Sequence, residues 1–159
     1  MGNKVSDMSP EVVNWAPYAL CFHASAWAAK CWPESNWIAL AKTLVYRGIT
    51  PVFPWGTPAE RVVSERIARH VPGARVPESH GLSEFFPIIA AASITIGVDT
   101  GLLHLAAILE VPTVELYIAT PRWKTEGYWS DRIVNLGDKG EMPSVEDAVK
   151  ASLGLLSLN

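Results

Sequence analysis

Short apolar runs alternate with longer amphipathic segments along most of this chain. The short runs are rich in β-branched and other apolar residues, which is typical of strands buried on both faces of a sheet. The longer segments repeat apolar residues every three or four positions, and this spacing predicts helices with one buried face. The predicted strands cover residues 18–23, 49–54, 74–77, 94–98, 112–118 and 132–136.

The predicted helices have recognisable start signals. Thr57–Glu60 has the form of a capping box with proline at the first helical position. Ser144 caps the last helix, with Asp147 at the third position. Pro87 lies within a helical pattern, where it is acceptable only near the first turn. The predicted helices cover residues 33–47, 58–70, 83–92 and 102–109, and a last one follows residue 144. This alternation predicts an α/β fold, a Rossmann-like parallel sheet with helices on both faces.

Composition and charge narrow the class of protein. The 159 residues are 49% hydrophobic and 18% charged, which excludes a disordered chain and fits a single α/β domain. A net charge of −3 gives no electrostatic argument for nucleic-acid binding. Residues 1–17 contain two prolines and no clear pattern, so they are interpreted as a lead-in or linker, and residues 18–159 as the domain.

Cysteine usage and hydropathy indicate a cytoplasmic location. Cys21 and Cys31 match no zinc or redox spacing, so both are interpreted as reduced thiols. No apolar run approaches the ~20 residues that a membrane-spanning helix needs. Residues 1–14 lack the basic-then-apolar order of a signal peptide. The sequence therefore predicts a protein that is neither membrane-spanning nor secreted.

The segment Ile94–Leu109 predicts a buried strand that turns directly into a helix through Asp99, Thr100 and Gly101. Such a turn directs unpaired backbone N–H groups and the positive end of the helix dipole to one point, which favours phosphate binding. His104 returns to the same side within the first turn. In the alternative interpretation, Asp99 or Thr100 only caps the helix, Gly101 is a packing residue and His104 a surface histidine.

Two other loops are expected at the same edge of the sheet, because ligands of parallel sheets bind at the carboxyl ends of the strands. Ser25 supplies a hydroxyl there, Lys30 a cation for a phosphate, and Glu60 an acceptor for ribose hydroxyls. The alternatives are a solvated loop for Ser25 and Lys30 and a helix-capping role for Glu60. His23, at a strand end, is interpreted as a structural histidine rather than a base.

Further along the chain, the evidence for chemistry is weaker. Trp123, Tyr128 and Trp129 lie in an irregular, charged segment and could stack on a sugar or on another domain. The sequence contains no G-x-G-x-x-G, P-loop, nucleophile elbow or metal-ligand cluster. These absences argue against ordinary NAD enzymes and kinases.

Three segments resemble the ADP-heptose:lipopolysaccharide heptosyltransferase family, glycosyltransferase family 9, in order and spacing. They are H-A-S-A-W-A-A-K-C-W-P-E (23–34), P-W-G-T-P-A-E (54–60) and D-T-G-L-L-H-L-A-A (99–107). The D-T-G-L-x-H-L-A segment is specific to this family, and the P-W-G-x-P-x-E segment is similar to that of the first heptosyl transfer, the heptosyltransferase I type. The resemblance covers nearly all of residues 18–155.

The resemblance implies that this chain is the carboxyl-terminal, donor-binding domain of a two-domain GT-B enzyme. In the family, heptose moves from ADP-L-glycero-D-manno-heptose to a Kdo sugar of the lipopolysaccharide inner core, with inversion and without a metal or other cofactor. The family's general base lies in an amino-terminal acceptor domain that is absent here, so we expect this chain alone to bind nucleotide without turnover. The implied location is cytoplasmic, with peripheral association at the inner face of the inner membrane.

The resemblance also implies roles for residues at matching positions in the first half of the chain. Ser25 and Lys30 are expected to bind the diphosphate, and Glu60 the ribose. The adenine is expected near residues 78–82, where the match is too loose to assign a single residue.

In the second half, the matching positions lie in the strand-to-helix turn. Thr100 and Gly101 are expected to bind phosphate at the helix N-terminus, Asp99 to hydrogen-bond the heptose, and His104 to lie close by. No position is expected to bind a metal, and the base is expected outside this chain.

Several positions depart from the family's pattern. Ala26 replaces a second hydroxyl residue, Ala28 and Ala29 replace a polar pair, and Ile118-Ala119 stands in place of Gly-Pro. We expect these changes to weaken phosphate contacts or to alter donor choice. Two alternatives therefore stay open: a related glycosyltransferase that uses another nucleotide sugar, and a non-catalytic binding module with the same fold.

Overall fold

A parallel five-stranded β-sheet forms the centre of the molecule. The structure, a computed structural model, describes residues 14–25, 30–78, 82–98, 101–119 and 132–157, and of residues 82–84 only the backbone. The strands are β1 (Tyr18–Phe22), β2 (Thr50–Val52), β3 (Ile94–Val98), β4 (Thr113–Tyr117) and β5 (Ile133–Gly137). The helices are α1 (Glu34–Tyr46), α2 (Pro58–Arg69), α3 (Leu82–Ala91), α4 (Gly101–Ile108) and α5 (Val145–Leu156). The sheet order is β2-β1-β3-β4-β5, which confirms the predicted α/β fold.

Helices cover both faces of the sheet, as the alternating pattern predicted. On one face, Ile96 and Val114 of the sheet belong to the same apolar cluster as Trp37 of α1, together with side chains of α2 and α5. On the opposite face, Leu20 belongs to a second cluster with Leu103 of α4 and side chains of α3. All residues of β1, β3 and β4 are buried, because each strand has apolar neighbours on both sides.

Residues 74–77 do not form the predicted strand. Arg75 makes one isolated bridge to Val52: its N–H donates to the Pro51 carbonyl and its carbonyl accepts from the Phe53 N–H, each at 2.9 Å. The next rung of a parallel ladder would need an N–H from Pro77, and proline has none. The prediction of a strand here was therefore wrong, and the pairing stops after one residue.

Pro87 also departs from expectation, since it is the sixth residue of the ten-residue α3 rather than part of its first turn. A proline at this position cannot donate to the carbonyl four residues earlier, so the helix loses one internal hydrogen bond. The helix continues because Ile88 and Ile89 are buried and the Tyr18 hydroxyl donates to the Ile88 carbonyl at 2.5 Å. Tertiary packing here outweighs the local preference of proline.

Both predicted helix caps are present. The Thr57 hydroxyl accepts the Glu60 N–H at 3.2 Å, and the Ser144 hydroxyl accepts the Asp147 N–H at 3.1 Å. These bonds satisfy backbone donors that have no partner inside a helix. The first cap fixes the start of α2, and with it the position of Glu60 beyond the end of β2.

The centre of the sheet is tightest where β1 and β3 approach their carboxyl ends. Gly97 of β3 pairs with Phe22 of β1, and a Cβ at Gly97 would lie 2.7 Å from the Phe22 Cβ and 2.8 Å from its carbonyl oxygen. Only glycine permits this approach. Among the described residues, no helix combines the length and apolar composition that a membrane span requires.

Candidate functional site

The sheet order places three segments with predicted site residues side by side. β1 lies between β2 and β3, and since all three strands are parallel, their carboxyl ends meet at one edge. Ser25 follows β1, Glu60 lies in the first turn of the helix after β2, and Gly101 begins the helix after β3. The chain adds β2 on one side of β1 and then β3 on the other, so the strand order switches direction at β1. Parallel α/β sheets bind ligands at such a switch point.

A cavity of about 430 Å³ opens between the segment after β1 and helices α1 and α2. Ser25 and Glu60 both line it, so the structure brings these two predicted residues to one space. Trp32 and Trp37 form part of its apolar wall, and His23 adds a polar group. An apolar wall with a few placed polar groups is typical of small-molecule sites.

Glu60 has the capping role that the sequence offered as an alternative. Its Oε1 accepts the Gly56 N–H at 2.9 Å, one residue before the cap residue Thr57 itself. This bond holds the turn between β2 and α2. A carboxylate has two oxygens and about four acceptor sites, so capping and ligand binding are compatible at Glu60.

Trp55, in the same turn, has a structural function that the sequence did not indicate. Its indole N–H donates to the Pro77 carbonyl at 2.6 Å, and the Arg61 guanidinium lies 4.9 Å from the centre of its ring. Trp55 therefore ties the turn after β2 to the segment that leads towards residues 78–82. The P-W-G-T-P-A-E motif thus contains one cavity-lining carboxylate and a set of residues that hold it in place.

His23 is a structural histidine, as predicted. It is 5% exposed, its Nε2 lies 2.6 Å from the Ser64 Oγ, and that hydroxyl in turn donates to the Pro54 carbonyl at 3.3 Å. Because the Ser64 proton is used in this way, Nε2 of His23 is the donor. Burial lowers the pKa of His23, and the negative charges of Glu60 and Glu34 oppose this effect. The neutral ring therefore fits the folded state.

This lowered pKa predicts a pH dependence of stability. The ordinary pKa is 6.5, so the unfolded chain binds more protons at His23 than the folded chain just below that pH. The free energy of unfolding is therefore expected to fall as the pH drops from about 7.5 to about 5.5. The His23→Gln variant keeps a donor for Ser64 but does not titrate, and we expect its melting temperature to fall less over this range.

Thermal melts of both proteins at matched ionic strength measure the difference. Glu34 does not interfere, because the hydrogen bond from Arg66 lowers the pKa of its carboxyl, and the resulting loss of stability begins only below the ordinary value of 4.5. Parallel pH profiles for wild type and His23→Gln would contradict the assignment of a neutral His23.

Lys30 lies four residues before α1, on the chain segment that leaves Ser25. The start of α1 is fastened to α2 by a bidentate ion pair, in which the Arg66 Nε and Nη2 lie 2.7 and 2.6 Å from the two Glu34 oxygens. Both side chains are about half exposed, so the pair contributes geometry more than stability. It fixes the mouth of the cavity that Ser25 and Glu60 line.

On the other side of β1, α4 begins at Gly101 and contains His104 in its first turn. His104 lies over β4, with its Nε2 3.8 Å from the Glu115 Oε1, and the Tyr117 hydroxyl donates to Glu115 Oε2. Neither Glu115 nor Tyr117 was predicted as a site residue. A carboxylate inside the buried run T-V-E-L-Y was the available signal.

Several predicted residues lie outside the described part of the chain. These are Asp99 and Thr100, Ala26, Ala28 and Ala29, the central part of 78–82, and the aromatic group Trp123, Tyr128 and Trp129. Their roles stay predictions. Among the described residues, no group of three or more His, Cys, Asp or Glu side chains could hold a metal ion.

Comparison with known protein sequences points to a single family. The family model "Glycosyltransferase family 9 (heptosyltransferase)" matches residues 3–152. Lipopolysaccharide heptosyltransferase 1 of Pseudomonas aeruginosa is 37% identical over 118 residues, which are 74% of this chain and 33% of that protein. The Salmonella typhimurium protein of the same name is 34% identical over 117 residues, 74% of this chain and 37% of that protein. This chain thus spans about a third of the length of these relatives.

Solved structures give the same result at the level of fold. The Escherichia coli heptosyltransferase WaaC with ADP aligns with a TM-score of 0.82 and 27% identity, over 96% of this chain and 47% of that chain. The same enzyme with ADP-2-deoxy-2-fluoro heptose gives a TM-score of 0.78 and 25% identity. The fold is therefore that of one domain of a GT-B glycosyltransferase. Together with the family match over residues 3–152, these findings show that the chain belongs to glycosyltransferase family 9, the heptosyltransferases.

Proposed function

We propose that this chain is the donor-binding half of an enzyme that transfers heptose from ADP-L-glycero-D-manno-heptose during lipopolysaccharide synthesis. One observation carries the proposal: the carboxyl ends of β2, β1 and β3 lie side by side and lead to Glu60, Ser25 and Gly101 respectively. The structural likeness to WaaC with ADP, over 96% of this chain, supports a nucleotide at this edge. The fold by itself would not distinguish one nucleotide from another.

In this proposal, the donor spans the carboxyl edge of the sheet. The ribose hydroxyls donate to Glu60, the diphosphate lies between Ser25, Lys30 and the N-terminus of α4, and the heptose reaches Asp99. A helix N-terminus and a lysine both favour the negative charge that grows on ADP as the sugar departs. Thr100, Gly101 and His104 complete the phosphate end, and the adenine lies near residues 78–82.

The rest of the reaction requires a second half that this chain does not span. We infer a two-domain enzyme in which an amino-terminal domain binds a Kdo sugar of the lipopolysaccharide inner core. A carboxylate of that domain takes the proton of the attacking hydroxyl, and in-line attack inverts the anomeric centre without a metal or other cofactor. Residues 1–17 then form the lead-in to the donor domain. The acceptor's chemistry fits a cytoplasmic enzyme at the inner face of the inner membrane.

A second candidate is a related glycosyltransferase that uses a different nucleotide sugar. Ala26, Ala28 and Ala29 stand where the family pattern has a hydroxyl residue and a polar pair. The diphosphate is expected to bind at Ser25 and Lys30, on either side of these positions in the sequence, and lost polar contacts would change the donor preference. A non-catalytic binding module is the third alternative, and its mark would be a folded chain with no nucleotide affinity.

Calorimetric titration of the purified chain with ADP, UDP and GDP tests the proposal. We expect saturable ADP binding and at least about tenfold weaker binding of the other two, the difference that one lost hydrogen bond to a base produces. Preference for UDP or GDP would favour the second candidate. A folded chain that binds none of the three would leave only the family and the fold.

A further inference from the structure

The imidazole of His23 has one nitrogen that the fold uses and a second that it does not. His23 directly follows β1 and is 5% exposed. Its Nε2 donates to the Ser64 Oγ at 2.6 Å. Its Nδ1 makes no hydrogen bond with any residue that the structure describes. Because buried polar nitrogens normally have a partner, Nδ1 of His23 points to a group that the folded chain does not supply.

The ring of His23 forms part of the wall of the cavity that Ser25 and Glu60 also line. Two contacts hold the ring in one orientation. Nε2 is bonded to Ser64, and the Phe53 ring packs against the imidazole with its centre 6.3 Å away. The cavity is therefore the space from which a ligand can reach the second nitrogen.

The protonation state of the ring decides which ligand group fits. With the proton of the neutral imidazole on Nε2, Nδ1 can accept a hydrogen bond but cannot donate one. It therefore does not suit a phosphate oxygen, which is also an acceptor, and it requires a hydroxyl or an N–H group. Glu60, on the same cavity wall, has the same requirement: its Oε1 accepts the Gly56 N–H at 2.9 Å, and its Oε2 has no partner among the described residues. Two acceptors at one cavity fit a pair of neighbouring hydroxyl groups.

We propose that Nδ1 of His23 is a second acceptor for the ribose of the nucleotide sugar: it takes a hydrogen bond from one ribose hydroxyl, and Glu60 takes one from the other. This inference rests on the proposed function, which places the ribose at Glu60. The proton stays on the ribose, so His23 acts as a hydrogen-bond acceptor and not as a base. A ribose that lacks either hydroxyl leaves one acceptor unsatisfied, and the pair thereby selects ribonucleotides over deoxyribonucleotides.

Two substitutions separate the roles of the two nitrogens of His23. Glutamine keeps a donor for Ser64 but has no acceptor at the position of Nδ1, so His23→Gln should bind ADP about three- to tenfold more weakly, the effect of one lost hydrogen bond. Asparagine is too short to reach Ser64, but its carbonyl oxygen lies near the position of Nδ1. His23→Asn should therefore bind ADP more tightly than His23→Gln, although it melts at a lower temperature.

Thr95→Val is the matched control for a loss of stability alone. It removes a buried hydroxyl contact with Thr113, and neither residue lines the cavity. Its melting temperature should fall, whereas its affinity for ADP should equal that of the wild-type chain. A loss of ADP affinity in Thr95→Val as large as that in His23→Gln would attribute the effect to stability and overturn the inference.

Calorimetric titration with ADP, 2′-deoxy-ADP and 3′-deoxy-ADP identifies the contact itself. The loss caused by His23→Gln should disappear for the nucleotide that lacks the hydroxyl bound to Nδ1 and persist for the other, because the contact needs both groups. The same loss for all three nucleotides would show that the substitution acts through the structure of the cavity, and the inference would be wrong.

Nitrogen-15 spectra of the wild-type chain give a readout that needs no variant. The His23 signals can be assigned by the proximity of the ring to Phe53. They should show the proton on Nε2, and the Nδ1 signal should move when ADP binds. A proton on Nδ1 in the chain without nucleotide, or an Nδ1 signal that ADP does not move, would contradict the proposed contact.

The binding outcomes separate this inference from the proposed function. ADP binding by the wild-type chain together with unchanged affinity in His23→Gln would overturn the inference alone. A wild-type chain that binds no ADP would overturn the proposed function, and the ribose contact of His23 with it.

Discussion

Replacing Lys30 and Asp99 together with alanine is expected to weaken binding of ADP-heptose by about a hundredfold. Each charged side chain is proposed to make a hydrogen bond to the donor, and such a bond contributes about 1.5–3 kcal/mol, or roughly tenfold or more in affinity. Lys30 acts on the diphosphate and Asp99 on the sugar. Because the two groups contact different parts of the ligand, their effects should multiply.

Comparison of two ligands separates the two roles. ADP lacks the heptose, so Lys30→Ala alone should weaken ADP binding about tenfold, while Asp99→Ala should leave it nearly unchanged. Lys42→Ala is the matched control, since Lys42 is an exposed lysine of α1 and its replacement changes the net charge equally. Isothermal titration calorimetry gives each affinity, and circular dichroism melts establish that the variants are folded. Equal losses in Lys30→Ala and Lys42→Ala would point to a general charge effect and against a phosphate contact.

Truncating Trp37 to alanine is expected to destabilise the fold by about 3–5 kcal/mol, the usual range for a buried tryptophan. Trp37 is 1% exposed and lies between Trp32 and Phe53, with ring centres 5.1 and 6.2 Å away and both pairs edge-to-face. It joins α1 to the sheet and forms part of the cavity wall. Its loss should therefore loosen the cavity as well as the core. Urea unfolding with unchanged m-value measures the free energy.

The neighbouring Trp32 supplies a matched comparison for the indole N–H. Trp32 Nε1 donates to the Pro143 carbonyl at 2.9 Å, whereas Trp37 Nε1 has no hydrogen-bond partner among the described residues. Both rings are almost fully buried. Trp32→Phe breaks a bond and leaves a carbonyl unsatisfied, so it should cost about 1–2 kcal/mol more than Trp37→Phe. Equal losses would show that the Trp37 N–H has a partner in solution.

Much of the fold could be predicted because the buried positions of strands and helices carry apolar residues at regular spacings in the sequence. In β1, β3 and β4 the apolar runs identified strands within a residue of their observed ends, since strands buried on both faces need continuous apolar sequence. The start of α2 was equally clear, because Thr57 and Glu60 must satisfy backbone N–H groups locally. The predictions failed where tertiary contacts, and not the local sequence pattern, determine whether a strand or helix continues. Pro77 ends the bridge at Arg75, and packing of Ile88 carries α3 through Pro87.

The candidate site also contains residues that could be predicted from the sequence and residues that could not. Ser25 and Glu60 were predicted from their places after strands, and the structure brings both to the wall of one cavity. The pairing of His104 with Glu115 was not predicted, because their proximity depends on α4 packing across β4. The roles of Asp99 and Thr100 rest on the family resemblance, and the proposed binding experiments would test them.

By itself, the sequence determined the α/β class, the strand and helix pattern, the helix caps and the family, since these follow from local periodicity, local hydrogen bonding and motif spacing. Only the tertiary structure decided the strand order, with β1 between β2 and β3, and the burial of Glu115 beneath His104. Both depend on which side chains pack together across the sheet. Residue spacing along the chain does not predict this packing, because the packing depends on the combined free energy of all side-chain contacts in the folded state.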